Sequence, residues 1–449
     1  VTTRTDPAAG HGPEAELPRA LSFFDSTMIN IGSMIGSGIF IVPAAVALSL
    51  GSSGLMIAVW IAGGVVSLFG AISVAELGGM HPKAGGQYVY LREAFSPLAG
   101  FLYGWTSFAV INTGAIAAVA MTGATYVAFF VPLTPFEIDL VAVAGIWILT
   151  AVNCVGVRPG ATVQNVLTII KIGTLVAIPV AAVLLPGGET GNFAPFWDAP
   201  GGAGLAGTLG VAMIAVLWSY DGWIEITYVA GEVKDPGRNL HRALIVSTAA
   251  VALLYAAVTA SFTYLLSPAG MAASPLVASD AVSKMAGPAG AALVAAAVIV
   301  STFGAANGFI ITCPRIYYAM AKEGLFFRWC AHVHPQFLTP VPSLLVQAGL
   351  ATAMVLTGTF GELTTYVVFA SFLFYGLSAA AVIVLRTKDP ARPRPYRTWG
   401  YPWTPIVFII FSAWLVADTI AGDPYNAMLG AAVVLAGVPA YLFWRRRVF

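Results

Sequence analysis

Two short polar interruptions carry most of the chemistry this chain can do. Gly36-Ser37-Gly38 lies inside the first long apolar run and Tyr220-Asp221-Gly222 inside the sixth. Each run is long enough to cross a bilayer. A helix broken in hydrocarbon leaves N–H and C=O groups that only protein or a polar ligand can satisfy. Past the first interruption a new half-helix is expected near Ile39, its free amides and positive dipole end suited to a carboxylate. The half that ends near Met34 presents carbonyls, which suit an ammonium. Gly32, Gly36 and Gly38 let the backbone leave helical geometry and let a ligand approach. The sixth run repeats the pattern in the opposite direction, one half ending near Ser219 and another starting after Gly222. Amides for one charge and carbonyls for the other fit a zwitterion, and an α-amino acid is the simplest such solute.

Side chains near the interruptions add to this chemistry. Asp221 is an acid near midmembrane, where a charge costs about 2.5–3.5 kcal/mol on insertion scales. It either faces the site and favours ammonium or protons, or caps the second half of the sixth run. Glu225 follows one turn later, lining the site or simply packed. Trp218 and Tyr220 are candidate gates, and aromatic packing is the alternative for both. Lys171, in Ile169-Ile170-Lys171-Ile172, is the one basic residue inside an apolar run. It either reaches the free carbonyls of the first interruption or extends its ammonium to the membrane surface. Glu76, Lys83, Arg92 and Glu93 gather where the second run ends, as an inner gate or as a solvated loop. Cys330, His332 and His334 have the right types for a metal but no fourth partner nearby, so no metal or cofactor is expected.

The elements that position these residues follow from composition. Hydrophobic residues make up 58% of the 449, and charged residues 9%, far below the roughly one quarter of a soluble domain. The mean hydropathy is +0.84. The chain is therefore a multi-pass membrane protein. Its three cysteines show no disulfide spacing, and no phosphate-binding Walker sequence is present, which excludes ATP-driven transport by this chain alone. Residues Val1–Pro18 lack the layout of a cleavable signal and read as a disordered tail.

A window of about 19 residues yields twelve spans, beginning near residues 22, 55, 98, 136, 163, 205, 243, 289, 341, 363, 402 and 425. Pro275–Ala286 is too short to cross and reads as a loop helix. With the N-terminus inside, the inner side receives nearly all 21 basic residues, including Arg386, Lys388, Arg392, Arg394, Arg397 and the closing Arg445-Arg446-Arg447. Lys284 alone falls outside. Short cytoplasmic loops are enriched in this way, so both termini are expected on the cytoplasmic side of the cell (inner) membrane. Span 6 starts on the opposite side from span 1, five spans later. That is the pattern of an inverted five-plus-five repeat with two further spans. The expected organisation is a tail at 1–20, a first repeat at 21–186, an outer loop at 187–204, a second repeat at 205–386, and spans 11 and 12 with the C-terminus at 387–449.

Several stretches carry a family resemblance. They include Ile31-Gly32-Ser33-Met34-Ile35-Gly36-Ser37-Gly38-Ile39-Phe40, Pro82-Lys83-Ala84-Gly85-Gly86-Gln87-Tyr88, Tyr220-Asp221-Gly222-Trp223, Gly231-Glu232-Val233-Lys234-Asp235-Pro236 and Phe303-Gly304-Ala305-Ala306-Asn307-Gly308. With these the chain resembles the amino acid–polyamine–organocation superfamily, and within it the L-type amino acid transporters. The resemblance implies an all-α LeuT-type fold of 12 transmembrane helices and sodium-independent amino acid transport, commonly by exchange. It also implies that Ser37 and Gly38 amides meet the substrate carboxylate, and that Met34, Trp218 and Asp221 carbonyls meet its amino group. By the same resemblance Lys171 fills a vacant sodium position near Ser301, Trp218 is the aromatic gate, and Asn307 helps to set side-chain selectivity. Animal members bind a glycoprotein through a cysteine in the second outer loop, and Pro132–Pro135 has none. No disulfide-linked subunit and no nucleic acid partner is expected. The substrate-binding candidates are Met34, Gly36, Ser37, Gly38, Ile39, Trp218, Ser219, Asp221 and Asn307. The expected activity is exchange of neutral amino acids, small ones given the bulk of Trp218 and Phe303. The alternatives are proton-coupled symport through Lys171 or Asp221, and polyamine or cationic amino acid antiport. A membrane-embedded enzyme is not expected.

Overall fold

The computed structural model describes residues 17–198, 204–357 and 360–446. Most of the expected tail, residues 199–203 of the expected outer loop, and Arg447 lie outside the described residues. Ten helices among those residues are long and apolar enough to cross a membrane, and Gly207–Tyr220 and Val341–Thr357 are shorter apolar helices. Together they account for the twelve expected spans.

Span 1 is two helices, Phe23–Met34 and Gly38–Leu50. Ser22 opens it with a capping box, its hydroxyl accepting from the Asp25 amide and the Asp25 carboxylate accepting from the Ser22 amide. Span 2 is Ser53–Met80. Span 3 runs from Pro97 to Val127 through a π-helical turn at Ser107–Ile111. Spans 4 and 5 are Pro135–Cys154 and Val157–Leu184. Span 5 thus starts six residues earlier than expected, which places Lys171 14 residues into the helix, about 21 Å at 1.5 Å per residue.

Span 6 begins as Leu205–Tyr220 and differs from expectation after Gly222. In place of a second α-helical half, the chain makes turns and two short 3-10 segments, Glu225–Thr227 and Ala230–Glu232. The reason lies in residue type and partner. Ile224, Ile226, Thr227 and Val229 are β-branched and poor helix formers. Asn30 of span 1 also takes the backbone groups a helix would have used, donating to the Trp223 carbonyl at 2.8 Å and accepting from the Ile226 amide at 3.2 Å.

Span 7 is Pro236–Leu265. Span 8 lies in Val277–Thr312 and is continued by Pro314–Lys322. The residues before it form the expected loop helix, set off at Gly287 by a left-handed φ of 59°. Spans 9 to 12 are Val341–Thr357, Phe360–Lys388, Trp403–Gly422 and Pro424–Arg445.

Packing follows the inverted repeat. Span 2 lies along span 7, span 3 along span 8, and spans 1 and 6 meet at their interruptions. Spans 1 to 4 each contact their counterpart in the other repeat, span 4 lying along span 9. This is the LeuT-type arrangement of an all-α membrane protein.

Ion pairs close the face on which span 1 begins. Glu76, buried at the end of span 2, accepts from Arg386 at 2.6 and 2.9 Å, from Arg394 at 3.1 Å and from the Thr398 amide at 2.7 Å. Arg92 pairs with Glu93 at 2.7 Å and with Glu323, while Lys83 is exposed. Glu232 and Arg315 form a fully buried two-pronged pair at 2.6 and 3.0 Å. The segment before span 1 pairs with the chain beyond Glu232, Leu21 donating to the Glu232 carbonyl and accepting from the Lys234 amide. Cys330 is buried, and the His334 Nδ1 accepts from the Gln336 and Phe337 amides. No metal-ligating cluster exists among the described residues.

Candidate functional site

The two interruptions touch, because each places a glycine against the other. A β-carbon on Gly38 would lie 2.3 Å from the Ser219 Oγ and 2.8 Å from the Ser219 Cα. One on Gly222, whose φ is 102°, would lie 2.8 Å from the Ser33 carbonyl carbon. Only glycine permits contacts this close, and at Gly222 only glycine takes the backbone angle easily.

A small cavity opens between them. Its walls are Met34, Gly36, Ser37 and Gly38 from span 1, Trp218, Ser219 and Asp221 from span 6, Ala115 and Val119 from span 3, and Phe309 from span 8. Span 1 stops at Met34 and restarts at Gly38. The amides of Ser37, Gly38 and Ile39 precede the first intrahelical donor, Phe40, and among the described residues they donate to no acceptor. Ile39 itself is buried and contributes only this amide. The cavity thus carries an unpaired donor set at a helix start, where the dipole favours a negative group.

The carbonyls released by the same interruption are shared among fixed side chains. The Lys171 ammonium donates to the Gly32 and Ile35 carbonyls, each at 2.7 Å, and the residue is 2% exposed. Ser301 of span 8 donates to the Ile35 carbonyl at 3.0 Å or the Gly36 carbonyl at 2.9 Å. Lys171 therefore does not extend to the membrane surface. It is a buried cation whose countercharge is the negative end of a broken helix.

Tyr255 of span 7, unmarked in the sequence, joins the two interruptions. Its hydroxyl lies 3.1 Å from the Met34 carbonyl and 3.2 Å from the Ser219 carbonyl. One hydrogen serves two acceptors, so both carbonyls keep capacity for a further donor.

Asp221 ends the first half of span 6 and caps no following helix. Its carboxylate accepts from the Tyr375 hydroxyl of span 10 at 2.5 Å. Glu225 turns away from the cavity, accepting from Thr312 and, at 3.4 Å, from the Cys313 thiol.

Three expected positions fall elsewhere. The Tyr220 ring packs on Trp60, Gly63 and Tyr255, and its hydroxyl donates to the Trp60 carbonyl at 3.0 Å. It does not face the cavity, whose aromatic lining is Trp218 and Phe309. Asn307 is held in a polar chain outside the cavity, donating to Gln164 at 2.8 Å and accepting from Asn153 at 2.7 Å. The Phe303 ring fills space against Gly123 and Gly145, and Phe309 provides the bulk expected of it. Paired polar residues in spans 4, 5 and 8, Asn153, Gln164 and Asn307, were the signal for the second displacement.

A family model described as amino acid permease matches residues 21–436. The chain is similar to mouse large neutral amino acids transporter small subunit 2, 33% identical over 99% of this chain and 87% of that protein. It is also similar to mouse b(0,+)-type amino acid transporter 1, at 31% over 98% and 91%. Mouse Asc-type amino acid transporter 1 matches at 32%, over 96% and 82%.

Proposed function

This chain belongs to the amino acid permease family, and from that premise we propose that it exchanges small neutral L-amino acids across the cell membrane without sodium. Amino acid transport is the activity of its relatives, and the chain is a permease rather than an enzyme. The proposal goes further, to mode and substrate.

One observation carries it. A single cavity presents unpaired amides at Ser37 and Gly38 on one wall and the carbonyls of Met34 and Ser219 on another. The first set suits a carboxylate and the second an ammonium, so an α-amino acid has both ends held while its side chain faces Trp218 and Phe309. Sodium independence is supported by Lys171, whose ammonium already engages the Gly32 and Ile35 carbonyls. On this reading Gly36, Ser219 and Asp221 complete the substrate wall, and Ser301 and Lys171 tie the interruption to spans 8 and 5. The face carrying the ion pairs of Glu76 and Glu232 is cytoplasmic, with both termini on that side. No disulfide-linked subunit is part of the reading.

A second reading is favoured by Asp221, an acidic residue of the cavity wall. An acid there suits a cationic amino acid or polyamine.

Both are tested in liposomes reconstituted with the full chain and loaded with or without internal amino acid, under imposed proton or sodium gradients. The exchange reading expects uptake of labelled L-alanine or L-serine that needs internal amino acid and ignores sodium. Uptake driven by a proton gradient into empty liposomes overturns it, and preference for L-arginine or a polyamine favours the second reading.

A further inference from the structure

Glu225 is a buried acid that the substrate geometry does not use. It is 2% exposed, and among the described residues no Lys, Arg or His pairs with it. Its partners are neutral, the Thr312 hydroxyl and the Cys313 thiol. The titratable groups around it also carry no positive charge. They are Asp221 and Tyr228 on its own segment, Tyr103 of span 3, Cys313 and Tyr317 beyond span 8, and Tyr375 of span 10. The nearby cation, Arg315, spends both prongs on Glu232. A carboxylate in such surroundings lacks the countercharge that makes burial tolerable.

Its place in the fold adds a second point. Asp221 and Phe309 line the cavity, and Glu225 with Thr312 and Cys313 lie one turn beyond them, toward the face on which span 1 begins. Opening of the cavity on that side would bring water to Glu225 soon after the substrate.

We propose that Glu225 is a proton-binding site of the transport cycle, holding a proton while that side is closed and releasing it to water when that side opens. The bond that breaks is the carboxyl O–H, the proton passes to water, and the hydrated carboxylate remains. Reclosure requires the proton to return. The inference rests on alternating access at the cavity described above. It is compatible with exchange, because a proton released to and recovered from the same side leaves no net proton flux across the membrane.

The test is the rate of labelled L-alanine exchange by the full chain in liposomes with equal pH on both sides. For the wild type the rate should fall at alkaline pH, about tenfold per unit along the limb, as a one-proton requirement dictates. E225Q should remove that limb while transporting at every pH. T312V, lacking the hydroxyl that donates to the ionised form, should extend activity to higher pH. A wild-type profile without the limb, or a limb unchanged in E225Q, overturns the proposal. Infrared spectra of the purified protein give a readout independent of transport. The wild type should show a protonated-carboxyl band that E225Q loses, and retention of the whole band in E225Q overturns the assignment even if the substrate reading fails.

Discussion

Gly38 lies so close to Ser219 that a single added carbon would fall inside the serine's van der Waals surface, 2.3 Å from its hydroxyl. This contact sets the separation of the two interruptions, and with it the distance between the amide donors and the carbonyl acceptors. G38A must push spans 1 and 6 apart. Overpacking of this kind costs about 1–3 kcal/mol. If it falls on the closed state, transport slows by roughly fivefold to a hundredfold. Initial rates in liposomes, with thermal unfolding in detergent as the folding control, decide it. A G38A protein with wild-type rates would mean that the contact does not matter to transport.

Replacing Lys171 removes the cation held between Gly32 and Ile35. The Ile35 carbonyl keeps Ser301, while the Gly32 carbonyl loses its donor, at a cost of about 1–3 kcal/mol for a buried unpaired group. K171A and K171M should both lower the unfolding temperature and slow exchange. K171A is expected to lose more stability than K171M, because it also removes the aliphatic stem packed against Gly304. Kinetics equal to wild type in either variant would count against the role.

Trp218 and Tyr220 should separate cleanly. W218A removes a cavity wall and is expected to raise KM and broaden the accepted side chains while the fold persists. Y220F deletes only the hydrogen bond to the Trp60 carbonyl, costing about 1 kcal/mol of stability with KM unchanged. Competition assays against a panel of neutral amino acids read both, and a Y220F shift as large as that of W218A would contradict the placement of its ring.

His81, in the loop after span 2, is buried and its imidazole is pushed down to about 4, by burial first and by the Arg392 charge second. Its ordinary value is about 6.5, so the unfolded chain binds the proton before the folded one does. The group's contribution to stability is therefore complete above about pH 6.5 and is lost as pH falls toward 4. Unfolding temperature against pH should decline across that window, and less steeply in H81N.

What the sequence revealed and what it hid divide along physical lines. The span count and the first interruption depend on local composition, on basic residues at one face and on Gly-Ser-Gly within an apolar run. Lys171 was legible because a lone ammonium in hydrocarbon demands acceptors, and span 1 supplied them. The irregular end of span 6 was hidden because Ile224-Glu225-Ile226-Thr227 reads as one more apolar stretch until Asn30, almost two hundred residues earlier, claims its backbone. Asn307 was misplaced for a similar reason, since its direction depends on Asn153 and Gln164 in other spans. Tyr255 gave no signal at all, because nothing in its own span distinguishes a bridging hydroxyl from a packed ring.

The ammonium of Lys171 is tethered to span 5 by its own side chain. A dissolved ion in the same place would arrive from one compartment and depart into the other, and its electrochemical gradient would do work on the solute. A covalently attached one can neither arrive nor depart, so however often the carrier turns over, this positive charge contributes no net current and no uphill force.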